Sequence, residues 1–120
     1  MSGDAENALR RMAVNLGTAS ARTSVRAGTA MGKALNDIRA GAMTRAPVDT
    51  GALRNSVTTA ISRDGNTIRG EVGPTVNYAG YVERGTSRQR AQPYLRPATD
   101  AVLPGYHAAL SQLGMDVLGD

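Results

Sequence analysis

The chain has no cysteine, phenylalanine or tryptophan, and only one histidine, His107, among its 120 residues. The absence of cysteine excludes a disulfide framework, a thiol nucleophile and a thiolate metal site. A single imidazole leaves little from which to build a metal centre. Bulky apolar residues are also scarce. Leu, Ile, Val and Phe together make 21 residues of 120, below the roughly 20% at which disorder becomes a serious reading. At this length there is room for one domain and one core, so the expectation is a subunit whose burial is completed by partners. No run approaches the roughly 20 apolar residues needed to span a bilayer, and Met1–Glu6 lacks the basic and apolar regions of a signal peptide. Synthesis in the cytosol without membrane association is therefore expected.

Basic side chains are present in excess, 14 Lys and Arg against 10 Asp and Glu, and all but Lys33 are arginine. They concentrate in two stretches, Arg10 to Arg45 with Asp37 as its one acid, and Arg84 to Arg96 with none. Arginine suits nucleic-acid phosphates and the carboxylates of a neighbouring subunit equally well, so charge alone leaves both partners open.

Between Asp4 and Thr44 there is no proline, and Leu9, Met12, Leu16, Met31, Leu35 and Ile38 fall at helical spacing. One long amino-terminal helix is predicted, with a kink or break near Gly28 left open. Ala46-Pro47 ends it, because proline disfavours the helical region for the residue before it. Asp49 or Thr50 then caps one turn through Leu53 and Arg54. Ser56–Ser62 and Thr67–Gly73 alternate around Asp64-Gly65, the signature of a β-hairpin. Asn77 is placed to cap a short helix that Gly85 stops. Gln92–Pro97 reads as an edge strand. A last amphipathic helix follows, interrupted at Pro104-Gly105. The fold class expected is α+β: a long N-terminal helix, a small antiparallel sheet built on a hairpin at 56–73 plus an edge strand, a short helix at 77–84 and a C-terminal helix at 98–118. It forms one domain over 1–120, with a helical arm (1–45) and an α+β body (46–120).

The sequence offers little for catalysis. His107 has no spaced partner, and Asp49 and Glu83 are explained more simply by capping and ion pairing than by acid–base chemistry. No phosphate-binding glycine pattern, nucleotide fingerprint or zinc spacing is present. The reading is a protein that is not an enzyme, with no cofactor and no metal. The basic loop Arg84–Arg90 could grip phosphates, but Tyr78, Tyr81 and Tyr94 look better placed as core or interface residues than as stacking platforms. A protein interface is favoured, with a basic DNA-binding module as the alternative.

Three segments carry a recognisable pattern in order: Ala46-Pro47-Val48-Asp49-Thr50-Gly51-Ala52-Leu53-Arg54-Asn55-Ser56, then Tyr78-Ala79-Gly80-Tyr81-Val82-Glu83-Arg84-Gly85-Thr86, then Ala91-Gln92-Pro93-Tyr94-Leu95-Arg96-Pro97-Ala98. Together they resemble the gene-product-ten-like tail-component family of lambdoid long-tailed phages, small neck proteins of the head-tail junction. The chain departs from the usual pattern at Arg84, where an aromatic or apolar residue is common before Gly-Thr. The resemblance implies a virion structural protein, present in the host cytoplasm during assembly. It would form a homo-oligomeric ring, a hexamer to match the tail tube, between head connector or stopper and tail tube or terminator proteins, with non-specific DNA proximity in the channel. A tail terminator capping the tube is the neighbouring alternative. The interface or scaffold candidates are Pro47, Asp49, Thr50, Gly51 and Leu53 in the first segment, Tyr78, Tyr81, Glu83, Arg84, Gly85 and Thr86 in the second, and Pro93, Tyr94, Arg96 and Pro97 in the third. Glu83 is expected to pair with Arg96 and so fix the Gly85-Thr86 loop.

Overall fold

In the structure, a computed structural model, residues 10–17, 19–47 and 51–119 are described, with the backbone alone for 116–119. The order of elements is β1 (Arg10–Asn15), α1 (Ala21–Arg45), α2 (Ala52–Ser56), β2 (Thr58–Asp64), β3 (Thr67–Gly73), α3 (Ala79–Arg84), α4 (Leu95–Gln112) and β4 (Asp116–Gly119). The four strands form one sheet in the order β2-β3-β1-β4, every neighbouring pair antiparallel. The fold is α+β, with its long helices α1 and α4 packed together beside the sheet.

The single helix expected from Asp4 to Thr44 divides. Residues 4–9 lie outside the described residues, Arg10–Asn15 is a strand, and Gly17 takes a positive φ of 50° before α1 begins. Met12, Ala13 and Val14 are buried between exposed Arg11 and Asn15, and Met12 and Val14 lie opposite Gly70 and Ile68 of β3. Pairing with β3 on one side and β4 on the other thus overrides the sparse helical spacing of Leu9, Met12 and Leu16. Ser20 caps α1, its Oγ accepting the N–H of Thr23 at 3.2 Å. The helix runs unbroken through Gly28 and ends at Ala46, whose ψ of 142° is extended, as the following proline requires.

Core packing relies on small residues. Ala27, Met31, Ala34, Leu35, Ile38 and Ala42 form the buried stripe of α1, at the spacing that turns one helical face to a core. Gly70 lets that face approach β3 closely, since a Cβ there would lie 2.8 Å from both Leu35 Cδ1 and Met31 Sδ. Gly41 does the same where α1 meets α4, with Ala98 Cβ 3.1 Å from the corresponding position. Tyr94 and Tyr106 fill the space that phenylalanine would occupy elsewhere. The count of Leu, Ile, Val and Phe leaves these residues out. Alanine, methionine and tyrosine join the aliphatic residues in one contiguous buried cluster.

The hairpin forms as expected, its two-residue turn being Gly65-Asn66, one position later than Asp64-Gly65. Gly65 has φ 58° and no described non-glycine residue has a positive φ, the pattern of a type II′ rather than a type I′ connection. Two further expectations are corrected. The segment Gln92–Pro97 does not pair as an edge strand, because α4 already starts at Leu95. Proline is acceptable in a first helical turn, where its missing N–H would have no intrahelical partner. The C-terminal helix ends at Gln112, not 118. Gly114, with φ 71°, closes it in a Schellman arrangement, Met115 N–H donating to Leu110 O at 3.1 Å and Gly114 N–H to Ser111 O at 3.0 Å. That reversal returns the chain to the sheet as β4, beside β1. Pro104 stays inside α4 without ending it.

Candidate assembly scaffold and its surfaces

Glu83 is the centre of the region formed by the second and third sequence segments. It sits on α3, a helix too short to hold itself by propensity, and is buried. Its Oε1 accepts the backbone N–H groups of Tyr94 at 3.1 Å and Leu95 at 2.9 Å, and its Oε2 accepts that of Arg96 at 3.1 Å. The first four N–H groups of a helix have no intrahelical acceptor. Here Glu83 takes three, and the fourth position is Pro97, which has none. The negative charge also faces the positive end of the α4 dipole.

The expected pairing of Glu83 with Arg96 is therefore corrected. The contact is to the Arg96 backbone N–H, while the Arg96 side chain is exposed. Among the described residues the salt bridges are Arg11–Glu71 at 3.2 Å and Lys33–Asp37 at 2.6 Å.

Tyr94 is wholly buried and its hydroxyl donates to Ala79 O at 3.4 Å. Burial first, and the nearby Glu83 and Tyr78 next, push its phenol well above the ordinary range. Gly85 follows α3 with φ 78° and ψ 175°, and its N–H donates to Tyr81 O at 2.7 Å. Its conformation is open to glycine and little else. The expected cap by Asn77 is replaced by Tyr78, which makes no side-chain cap bond.

Beyond Gly85 the basic loop is held by its own backbone. Thr86 N–H donates to Gln89 O at 2.9 Å, Arg88 N–H to Thr86 Oγ1 at 3.2 Å, and Gln92 N–H to Val82 O at 2.8 Å. Thr86, Pro93 and Arg84 are exposed, and so are Tyr78 and Tyr81. Pro47 joins this region, lining a small cavity of about 80 Å³ with Val82, Gln89, Arg90 and Gln92. From the first segment, Leu53 enters the core and Gly51 precedes α2 with φ 75°. Asp49 and Thr50 lie outside the described residues, and with them the cap expected there.

Several functional features escape the sequence reading. Arg39 and Arg54 act inside the molecule, Arg39 Nε donating to Val57 O at 2.8 Å and Arg54 Nε to Met43 O at 2.9 Å. A groove of about 440 Å³ runs between α1 and α4, lined by Ala30, Ala34, Ala101, Gly105 and Ala109 together with the Lys33–Asp37 pair and Tyr106. The Tyr106 hydroxyl is buried and, among the described residues, has no hydrogen-bond partner. Small residues four apart on α4 were the available signal. His107 is exposed, its ring 6.1 Å from that of Tyr106. Among the described residues no group of His, Asp and Glu is placed to hold a metal ion, and no helix is long and apolar enough to cross a membrane.

The distinctive residues of this α+β scaffold cap helices and set loops, with exposed strand, loop and groove surfaces around them. The chain matches the model of the family described as "Bacteriophage HK97-gp10, putative tail-component" over residues 10–85. That span is more than half the chain, and the protein belongs to this family of bacteriophage tail components. The match runs from β1 through α3, so the third sequence segment, which receives the Glu83 carboxylate, lies beyond it. No curated protein and no solved structure matches the chain.

Proposed function

We propose that the protein is a ring subunit of the head-tail junction of a long-tailed phage or phage-like particle, joining the head connector or stopper to the tail tube or terminator around the DNA channel. The observation that carries the reading beyond family membership is β2. It is an edge of the sheet, all seven of its residues are exposed, and Thr58–Ser62 has neither charge nor proline. Such an edge is a template for another strand unless something covers it. Ile61, 50% exposed, adds apolar surface to that flank, and its Cδ1 comes within 3.9 Å of the Cβ position of Gly32 on α1.

Strand direction supports a head-to-tail arrangement. The four strands alternate throughout, so β4 and β2 run in opposite directions. A rotated copy could set its β2 beside β4 and continue an all-antiparallel sheet with the helices on the same side. Heterologous contacts of that kind close into rings when the rotation permits. A sixfold ring matches a tail tube.

Particles made without the protein test this reading. DNA-filled heads and complete but unattached tails should accumulate, and the protein should be present in purified wild-type particles as a ring at the junction. Normal joining in its absence, or its absence from purified particles, would overturn the proposal.

A further inference from the structure

We infer that the loop following α3, together with Arg96, is a surface for the phosphate backbone of duplex DNA that binds without reading sequence. Arg88, Arg90 and Arg96 are all exposed. No carboxylate lies among them in sequence. The one that immediately precedes, Glu83, is buried with both oxygens committed to backbone N–H groups, and the next, Asp100, is a turn further along α4. Glu83 also removes the other source of anion affinity at this end, because it occupies the N-terminal N–H groups of α4. Arginine side chains are left to carry the attraction.

The loop is pre-set to present them. Its start is fixed by the positive φ of Gly85, its middle by the Thr86–Gln89 backbone bond and its end by Gln92 N–H on Val82 O. A Cβ at Gly85 would lie 2.6 Å from Ala91 N, so the two ends of the loop are in contact. Ordering the guanidinium groups on a partner thus costs side-chain freedom alone.

Composition separates nucleic acid from an acidic protein as the ligand. Thr86, Ser87, Arg88, Gln89 and Arg90 are exposed, and every one carries a donor and none an apolar side chain. Protein interfaces need a core from which charge is depleted, whereas phosphate oxygens are contacted by Arg, Ser, Thr, Gln and Tyr. Tyr78, 40% exposed on the preceding turn, completes that set. Nothing here can form a recognition helix or strand for a groove, so affinity should come from charge and be indifferent to sequence. The inference does not rest on the head-tail reading, since the loop can bind DNA whether or not the chain forms a junction ring.

Fluorescence anisotropy with the full chain and labelled 20-base-pair duplexes of two unrelated sequences tests it. With about three phosphates neutralised, affinity should fall roughly 40-fold between 50 and 200 mM salt, equally for both sequences. The Arg88→Gln/Arg90→Gln variant should keep the parent's unfolding midpoint, bind at least tenfold more weakly at 50 mM salt and show a salt slope smaller by about two. The Arg22→Gln/Arg26→Gln variant, at the exposed start of α1, should bind like the parent. Absence of binding by the parent, equal losses in the two variants, a preference between the duplexes, or competition by polyglutamate as effective per charge as DNA would each overturn the inference.

Discussion

The Oε1 of Glu83 accepts the backbone N–H of Leu95 at 2.9 Å, joining the short helix α3 to the first turn of α4. With the bonds to Tyr94 and Arg96, this one carboxylate replaces the side-chain cap that α4 lacks at its own N-terminus. It explains why two sequence segments separated by the basic loop belong together. The loop between them can carry many arginines because its ends are held by a buried acid.

Glu83→Ala should cost about 2–3 kcal/mol, since it strands three N–H groups, two of them buried, and removes a charge from a helix N-terminus. Glu83→Gln keeps one acceptor oxygen and should lose about half as much. Denaturant midpoints of the two variants measure this, and an alanine variant as stable as the parent would show that water serves the helix end equally well.

Gly85 and Gly105 form a matched pair of opposite sign. At Gly85 an alanine must adopt φ 78° and place its Cβ 2.6 Å from Ala91 N, so Gly85→Ala should cost about 2–3 kcal/mol. At Gly105, inside α4, nothing lies within 4 Å of the added methyl, and Gly105→Ala should stabilise by about 0.5–1 kcal/mol. Thermal unfolding distinguishes them. Equal effects would mean that loop strain does not reach the body of the fold.

Ile61→Lys on the β2 edge should leave monomer stability nearly unchanged, because the side chain is half exposed, and should weaken self-association. In this cysteine-free chain, Ile61→Cys/Val117→Cys treated with a short bis-maleimide should give a head-to-tail ladder of cross-linked species, with little from either single variant. Dimers formed by Ile61→Cys alone would mean that two β2 edges pair with each other instead.

Local signals made much of this fold legible. Alternation flanking Asp64-Gly65-Asn66 located the hairpin, Ala46-Pro47 marked the end of α1, and Gly85 marked the end of α3. What was hidden depended on contacts distant in sequence. Arg10–Asn15 carries only two buried large side chains, Met12 and Val14, and becomes a strand because β3 offers Ile68, Gly70 and Val72 beside it. Helix formation at Leu95 depends on an acid twelve residues earlier, which no window over Gln92–Pro97 contains. At the candidate site, Glu83 was assigned to a guanidinium because charge is visible in sequence and a backbone N–H is not.

Tyr106 gives the protein an alkaline limit. Its hydroxyl is buried without a described partner, and burial pushes the phenol from its ordinary 10.0 up to about 12. Below pH 10 the phenol is protonated in folded and unfolded chains, and its contribution to stability is fully present. Between 10 and 12 the unfolded chain releases the proton while the folded chain holds it, so stability falls as pH rises, by about 2–3 kcal/mol across the window. Tyr94, raised further for the same reason, adds to the loss. Tyr106→Phe should remove the unsatisfied hydroxyl, gain about 1 kcal/mol at pH 7 and flatten much of the decline. Urea midpoints at pH 7, 10 and 11.5 for parent and variant check both effects. A variant weaker than the parent at pH 7 would show that the hydroxyl is hydrogen-bonded after all, by a water within the α1–α4 groove or by a residue beyond those described.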